Sequence, residues 1–137
     1  MIRFVCKPYS ELTLDELYDS MVLRQDVFVV EQDCPYLDAD GKDKQAYHLL
    51  GYDNETLVAY ARLLPKGISY DNYASIGRIV SARTVRRKGF GKQLVQASIR
   101  QCRQLFPDSP IKISAQQYLL RFYENLGFVS TGDEYLE

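Results

Sequence analysis

The feature that most restricts how this chain can fold is a junction. The β-rich run Ala74 to Ala82 is followed by Arg86-Arg87-Lys88-Gly89-Phe90-Gly91-Lys92. An apolar stripe at helical spacing comes next: Phe90, Leu94, Val95, Ser98, Ile99, Cys102 and Leu105. Pro107 and Pro110 bracket a turn, after which Ile111 to Ala115 alternates as a strand. Strand, helix and strand in that order form a crossover, with the two strands parallel in one sheet and the connection right-handed. Gly89 and Gly91 let backbone amides turn toward a ligand without interference from a Cβ. The helix start adds unpartnered N–H groups and partial positive charge, and four cations flank it. A pyrophosphate is the group such a place suits.

The remaining elements follow from local pattern. Ile2 to Lys7 reads as a short strand ended by Pro8. Thr13-Leu14-Asp15-Glu16 is a capping box that starts a helix, with Leu14, Leu17, Met21 and Val22 expected inward, continuing or restarting through Val27 to Val30. Residues 33–46 hold Pro35, Gly41 and many acids and read as an acidic loop. Tyr47 to Tyr52 and Thr56 to Leu64 flank the turn-sized Asp53-Asn54-Glu55 as an antiparallel hairpin. Tyr118, Leu119, Phe122, Tyr123 and Leu126 share one helical face, and Gly127 suits a left-handed C-cap. The order is β-α-(α)-β-β-β-α-β-α, with room for one more strand in Phe128 to Tyr135 and not for a second. These elements imply an α/β fold, a mixed sheet covered on both faces, in a single domain over 1–137.

Composition removes several alternatives. With 46% apolar and 26% charged residues among 137, the chain has the makeup of a globular domain rather than a disordered one. No apolar run reaches membrane-spanning length, and the first six residues lack the layout of a secretory signal. Cys6, Cys34 and Cys102 stand far apart with no metal-ligand spacing, which fits idle thiols in a reducing cytoplasm and no metal site. The net charge of −1 hides a segregation. Residues 11–55 hold twelve acids against three cations, and residues 83–103 hold seven cations and no acid. A nucleic-acid partner is disfavoured, because these cations surround glycine instead of alternating with aromatics.

Two nucleotide motifs fail at the glycine turn. A P-loop requires Ser or Thr after Gly-Lys, and Gln93 stands there. The dinucleotide fingerprint requires a small residue where Leu94 stands. A third pattern matches. Arg86-x-x-Gly89-x-Gly91 after a strand resembles the Q/R-x-x-G-x-G/A loop of the GNAT superfamily of N-acetyltransferases, and Tyr123 to Phe128 resembles its Y-x-x-x-G-F ending. Arg24-x-x-Val27-Phe28-Val29-Val30-Glu31-Gln32, Asp40-Gly41-x-Asp43 ahead of His48-Leu49, Ile76-Gly77-Arg78-Ile79-Val80 and Ala115-Gln116 before Tyr118 resemble its ElaA-like branch. The resemblance covers nearly the whole chain.

It implies a GNAT-like acyl-CoA N-acyltransferase fold and acetyl-CoA as cosubstrate. The cofactor's diphosphate would lie on the turn formed by Arg86, Arg87, Lys88, Gly89, Phe90, Gly91 and Lys92. Its pantetheine arm would lie along the backbone of Ile79, Val80 and Ser81, with the Val80 N–H near the thioester oxygen. Tyr123 holds the family's place for the acid that protonates the leaving thiolate. Gln116 stands seven residues earlier, where many members have an asparagine that touches the cofactor. The implied reaction is direct attack by a primary amine of a small or amino-acid-like acceptor. Glu31 and His48 are candidate bases, and Arg24, Arg62 and Arg78 are candidates to hold an acceptor carboxylate or to pair with acids such as Glu31, Asp40 and Asp43. The rival reading is a non-catalytic acyl-CoA sensor of the same fold. Family members usually close the sheet with one or two further strands, so this ending implies either completion by a neighbouring subunit, as a homodimer, or a shortened form.

Overall fold

The computed structural model of the chain describes residues 2–86, 88–114, 129–130 and 134–136. Strand β1, Ile2–Pro8, is followed by helix α1, Leu14–Arg24, and a π-helical segment, Gln25–Glu31. Then come β2, Tyr47–Asp53, β3, Thr56–Leu64, and β4, Ala74–Ser81. Helix α2, Phe90–Leu105, leads to β5, Ile111–Ser114, and to the short β6, Val129–Ser130, and β7, Glu134–Leu136. The final helix expected around Tyr118 to Leu126 lies outside the described residues.

The seven strands form one sheet in the order β1-β2-β3-β4-β5-β7-β6. The first four make an antiparallel meander, and β4 runs parallel to β5 across the α2 crossover. The sheet then continues on residues of the same chain. β7 pairs with β5 through Lys112↔Leu136, Ile113↔Tyr135 and Ser114↔Glu134, and β6 pairs with β7. This corrects the expectation of one closing strand at most. Strands of two and three residues are too short to show a period-2 pattern and exist through their pairing.

The period-2 alternation of β3 sorts the interior into two layers. Ala59, Ala61 and Leu63 face α2, where Leu94, Val95, Ile99 and Cys102 complete one core. Tyr60 faces the other way, where Leu23 of α1 and Val27 of the π segment pack with Leu50 and Val80. The α2 stripe is therefore as expected, but the α1 face is not. Leu14 and Val22 are exposed, whereas Ser20, Leu23 and Arg24 are buried. Leu17 and Met21 are half-buried, and the inward face of α1 also carries polar groups that an apolar pattern does not mark. The capping box does form: Thr13 N–H donates to Glu16 Oε1 (2.8 Å) and Glu16 N–H to Thr13 Oγ1 (3.0 Å).

Candidate functional site

The glycine turn sits where β4 delivers the chain to α2. Gly89 caps the helix with φ +78°, a left-handed conformation that a side chain would strain. Helix geometry leaves the amides of Phe90, Gly91 and Lys92 without intrahelical acceptors; the first such bond runs from Gln93 N–H to the Gly89 carbonyl (3.3 Å). No acidic residue occupies the first turn. Among the described residues a Cβ at Gly91 would meet no atom within 4 Å, which leaves the flank of these amides open to them. Lys88 and Lys92 are exposed, and Phe90 tucks against the α2-side core. These donors and this open flank fit a diphosphate. Arg87, Gln116 and Tyr123 lie outside the described residues.

Beside the turn the sheet divides. β4 and β5 are in register at Ala74↔Ile111 and Ser75↔Lys112; from Ile76 to Ser81, β4 has β3 alone beside it among the described residues. A bulge sharpens the divergence. Tyr60↔Val80 is followed by Arg62↔Gly77, which inserts one extra residue into β4, and Arg78 adopts φ +51° there. Ala82 N–H donates to the Val58 carbonyl (2.7 Å), which makes Ala59↔Ser81 a non-hydrogen-bonded pair. Ser81 therefore turns its N–H and C=O away from β3, and its carbonyl lies 3.4 Å from Arg86 Nη2. By the same alternation, Val80 directs its N–H toward Tyr60. The expectation that Val80 N–H faces the cofactor edge is thus corrected: the outward amides belong to Ser81 and, two residues back, Ile79.

The acidic and basic stretches of the sequence meet here. Glu31, the last residue of the π segment, receives both terminal nitrogens of Arg86, Nη1 on Oε2 and Nη2 on Oε1, the latter at 2.6 Å. Arg83 Nε stands 3.7 Å from Glu31, and Arg83 Nη2 donates to Asp26 Oδ1 (3.1 Å). The hydrogen bond from Arg86, with its charge and that of Arg83, holds the Glu31 carboxyl below the ordinary glutamate range. So held, Glu31 is an ion-pair partner of the glycine turn and a weak proton acceptor.

Across the sheet from α2, three arginines and three aspartates form a charge-balanced cluster. Arg24, 0% exposed, donates from Nε to Asp38 Oδ2 (2.7 Å) and from Nη1 to Asp43 Oδ1 (2.8 Å). Arg62 Nη1 donates to Asp40 Oδ1 (2.8 Å) and to the same Asp43 oxygen (3.1 Å), and its Nη2 to Asp40 Oδ2 (3.0 Å). Arg78, its side chain 23% exposed, places Nε 2.8 Å from Asp38 Oδ1, out of line for a hydrogen bond; Nη2 donates to the Asp38 carbonyl (3.2 Å) and Asp40 Oδ2 (3.3 Å). His48 is buried against Tyr60 and the Asp43 carbonyl. Arg24 and His48, considered above for the acceptor, are thus enclosed among internal partners. Arg78 is the most exposed of the three arginines, and it joins the acidic loop to the β4 bulge. Tyr60 and Asp38 carry no motif that marks them; the signal for Tyr60 is its position two residues from Arg62 on one face of an otherwise apolar strand.

Comparison with known proteins agrees with this geometry. Residues 24–137 match the family model described as an acetyltransferase (GNAT) domain. The chain is 41% identical to a UPF0039 protein of Synechocystis over 98% of this chain and 87% of that protein. It is 38% identical to Protein ElaA of Escherichia coli over 100% of this chain and 90% of ElaA. The crystal structure of E. coli ElaA superposes with a TM-score of 0.88 at 36% identity, covering 99% and 97% of the two chains. That of an acyl-CoA N-acyltransferase from Pseudomonas aeruginosa superposes at 0.90 and 36% identity, covering 98% and 97%. Among the described residues no helix is long and apolar enough to cross a membrane.

Proposed function

The chain belongs to the GNAT acetyltransferase family, in the branch of ElaA, and on that premise we propose that it moves an acetyl group from acetyl-CoA to a primary amine of a small, amino-acid-like acceptor. The observation that carries this reading is the adjacency of two features: an open left-handed glycine turn at the start of α2, and a β4 edge that separates from β5 beside it.

Acetyl-CoA supplies an activated thioester. The amides of Phe90, Gly91 and Lys92 hold its diphosphate, with Lys88 and Lys92 adding charge. The outward amides of Ile79 and Ser81 line the edge for the pantetheine arm. A preset N–H there stabilises the charge that develops on the thioester oxygen, a contribution of about 3–4 kcal/mol to the transition state. Tyr123, in the family's tyrosine motif, protonates the departing thiolate; a phenol with an ordinary pKa of about 10 keeps its proton at neutral pH.

Thiol release from acetyl-CoA, measured against a panel of primary amines and amino acids, tests the reading. Amine-dependent release that falls at least about ten-fold in Tyr123→Phe, with cofactor affinity less affected, is the expected result. Binding without turnover for every amine would favour the sensor.

A further inference from the structure

Glu31 grips Arg86 in a fork-to-fork arrangement, the geometry by which a guanidinium also takes a phosphate. Arg86 stands three residues before the left-handed Gly89, and its Nη2 reaches the Ser81 carbonyl at 3.4 Å. Its guanidinium therefore lies at the β4 edge, on the segment that leads into the glycine turn, and these are the two surfaces assigned above to acyl-CoA. The pair is solvent-accessible, with side chains 39% and 30% exposed, so the attraction is modest and exchange for a more highly charged anion is easy. The arrangement is anchored on the other side: Arg83 reaches both Glu31 and Asp26, so Glu31 keeps a cationic neighbour if Arg86 leaves.

We propose that Glu31 competes with the diphosphate of acyl-CoA for Arg86, so that cofactor binding exchanges one anion for the other and releases the Glu31 carboxylate. This rests on the acyl-CoA reading above and assigns Glu31 a role in cofactor affinity. The exchange releases the π segment from Arg86 and leaves the contacts of Arg83 with Glu31 and Asp26 in place. It also frees an acidic group close to the cofactor edge only once the cofactor is in place.

The test is a calorimetric titration of CoA into the unaltered chain, Glu31→Gln, Arg86→Gln and the double variant, each checked for folding by circular dichroism. Glu31→Gln should tighten CoA about 2- to 5-fold, the scale of an exposed ion pair. Arg86→Gln should weaken it, and in that background Glu31→Gln should have no further effect. Unchanged or weaker binding in Glu31→Gln would overturn the competition. So would tightening that persists undiminished without Arg86, since that is general charge removal and not a shared partner. Absence of CoA binding by the unaltered chain would be a different result: it would remove the acyl-CoA reading itself, and this proposal with it.

Discussion

His48 and Tyr60 are locked together across β2 and β3: His48 Nδ1 lies 2.6 Å from the Tyr60 hydroxyl, and His48 Nε2 lies 2.9 Å from the Asp43 carbonyl. A carbonyl only accepts, so Nε2 carries a proton; in the neutral ring Nδ1 then accepts from the phenol. The neutral ring is thereby held in one tautomer, with the charges of two arginines acting on it.

That arrangement has a pH consequence. Burial pushes the His48 pKa down, and Arg24 and Arg62 add to the effect against the pull of Asp43. Because the folded value lies below the unfolded value of about 6.5, the unfolded chain binds the extra proton first. Stability is full above that pH and falls as pH drops through 6.5 toward the folded pKa. His48 is the chain's single histidine, so its NMR titration needs no assignment. The imidazole signals should titrate below pH 6.5, and a midpoint at or above 6.5 would contradict the locked neutral ring.

Asp43 serves Arg24, Arg62 and, through its carbonyl, His48. Asp43→Asn leaves two buried guanidinium groups short of charge and should cost about 3–5 kcal/mol in denaturant unfolding. Asp26→Asn removes an exposed partner of Arg83 and should cost under about 1 kcal/mol. Equal losses from the two would mean that the cluster does not bear on stability as its burial implies.

Arg78 holds φ +51° at the β4 bulge. Arg78→Gly and Arg78→Ala lose the same ion pairs, but only glycine relieves the backbone. Arg78→Gly should therefore be the more stable of the two by about 1 kcal/mol. At an ordinary strand position alanine would win by a similar margin, so the order of the two midpoints tests the bulge.

What the sequence made legible depended on how local the cause was. The Thr13/Glu16 box, the Thr56–Leu64 strand and the α2 stripe each arise from neighbours in sequence, and each matches the structure. The glycine turn was equally legible, because Gly89 and Gly91 carry their conformational meaning with them. The inward face of α1 was hidden because Arg24 and Ser20 occupy it, and their burial depends on aspartates from a loop that sequence alone reads as solvated. The direction of the Val80 N–H is not legible in the sequence, because it follows inter-strand register, including a bulge. The Glu31–Arg86 pair joins residues 55 apart; the charge segregation announced that such a meeting was available, without fixing its members.

Two glycines separate fold from binding. Gly89 requires its left-handed backbone, so Gly89→Ala should lower the unfolding midpoint as well as weaken cofactor binding. Among the described residues a Cβ at Gly91 meets open space, and Gly91 lies in the first turn of α2 without a positive φ. A large side chain there should leave the fold intact and fill the flank assigned to the diphosphate.

Calorimetric titration of acetyl-CoA into the unaltered chain and Gly91→Trp asks directly whether the glycine turn holds the diphosphate. Saturable one-to-one binding by the unaltered chain, at least about ten-fold weaker in Gly91→Trp with an unchanged unfolding midpoint, is expected if it does. Equal affinity in the two proteins, or no binding by either, would contradict it.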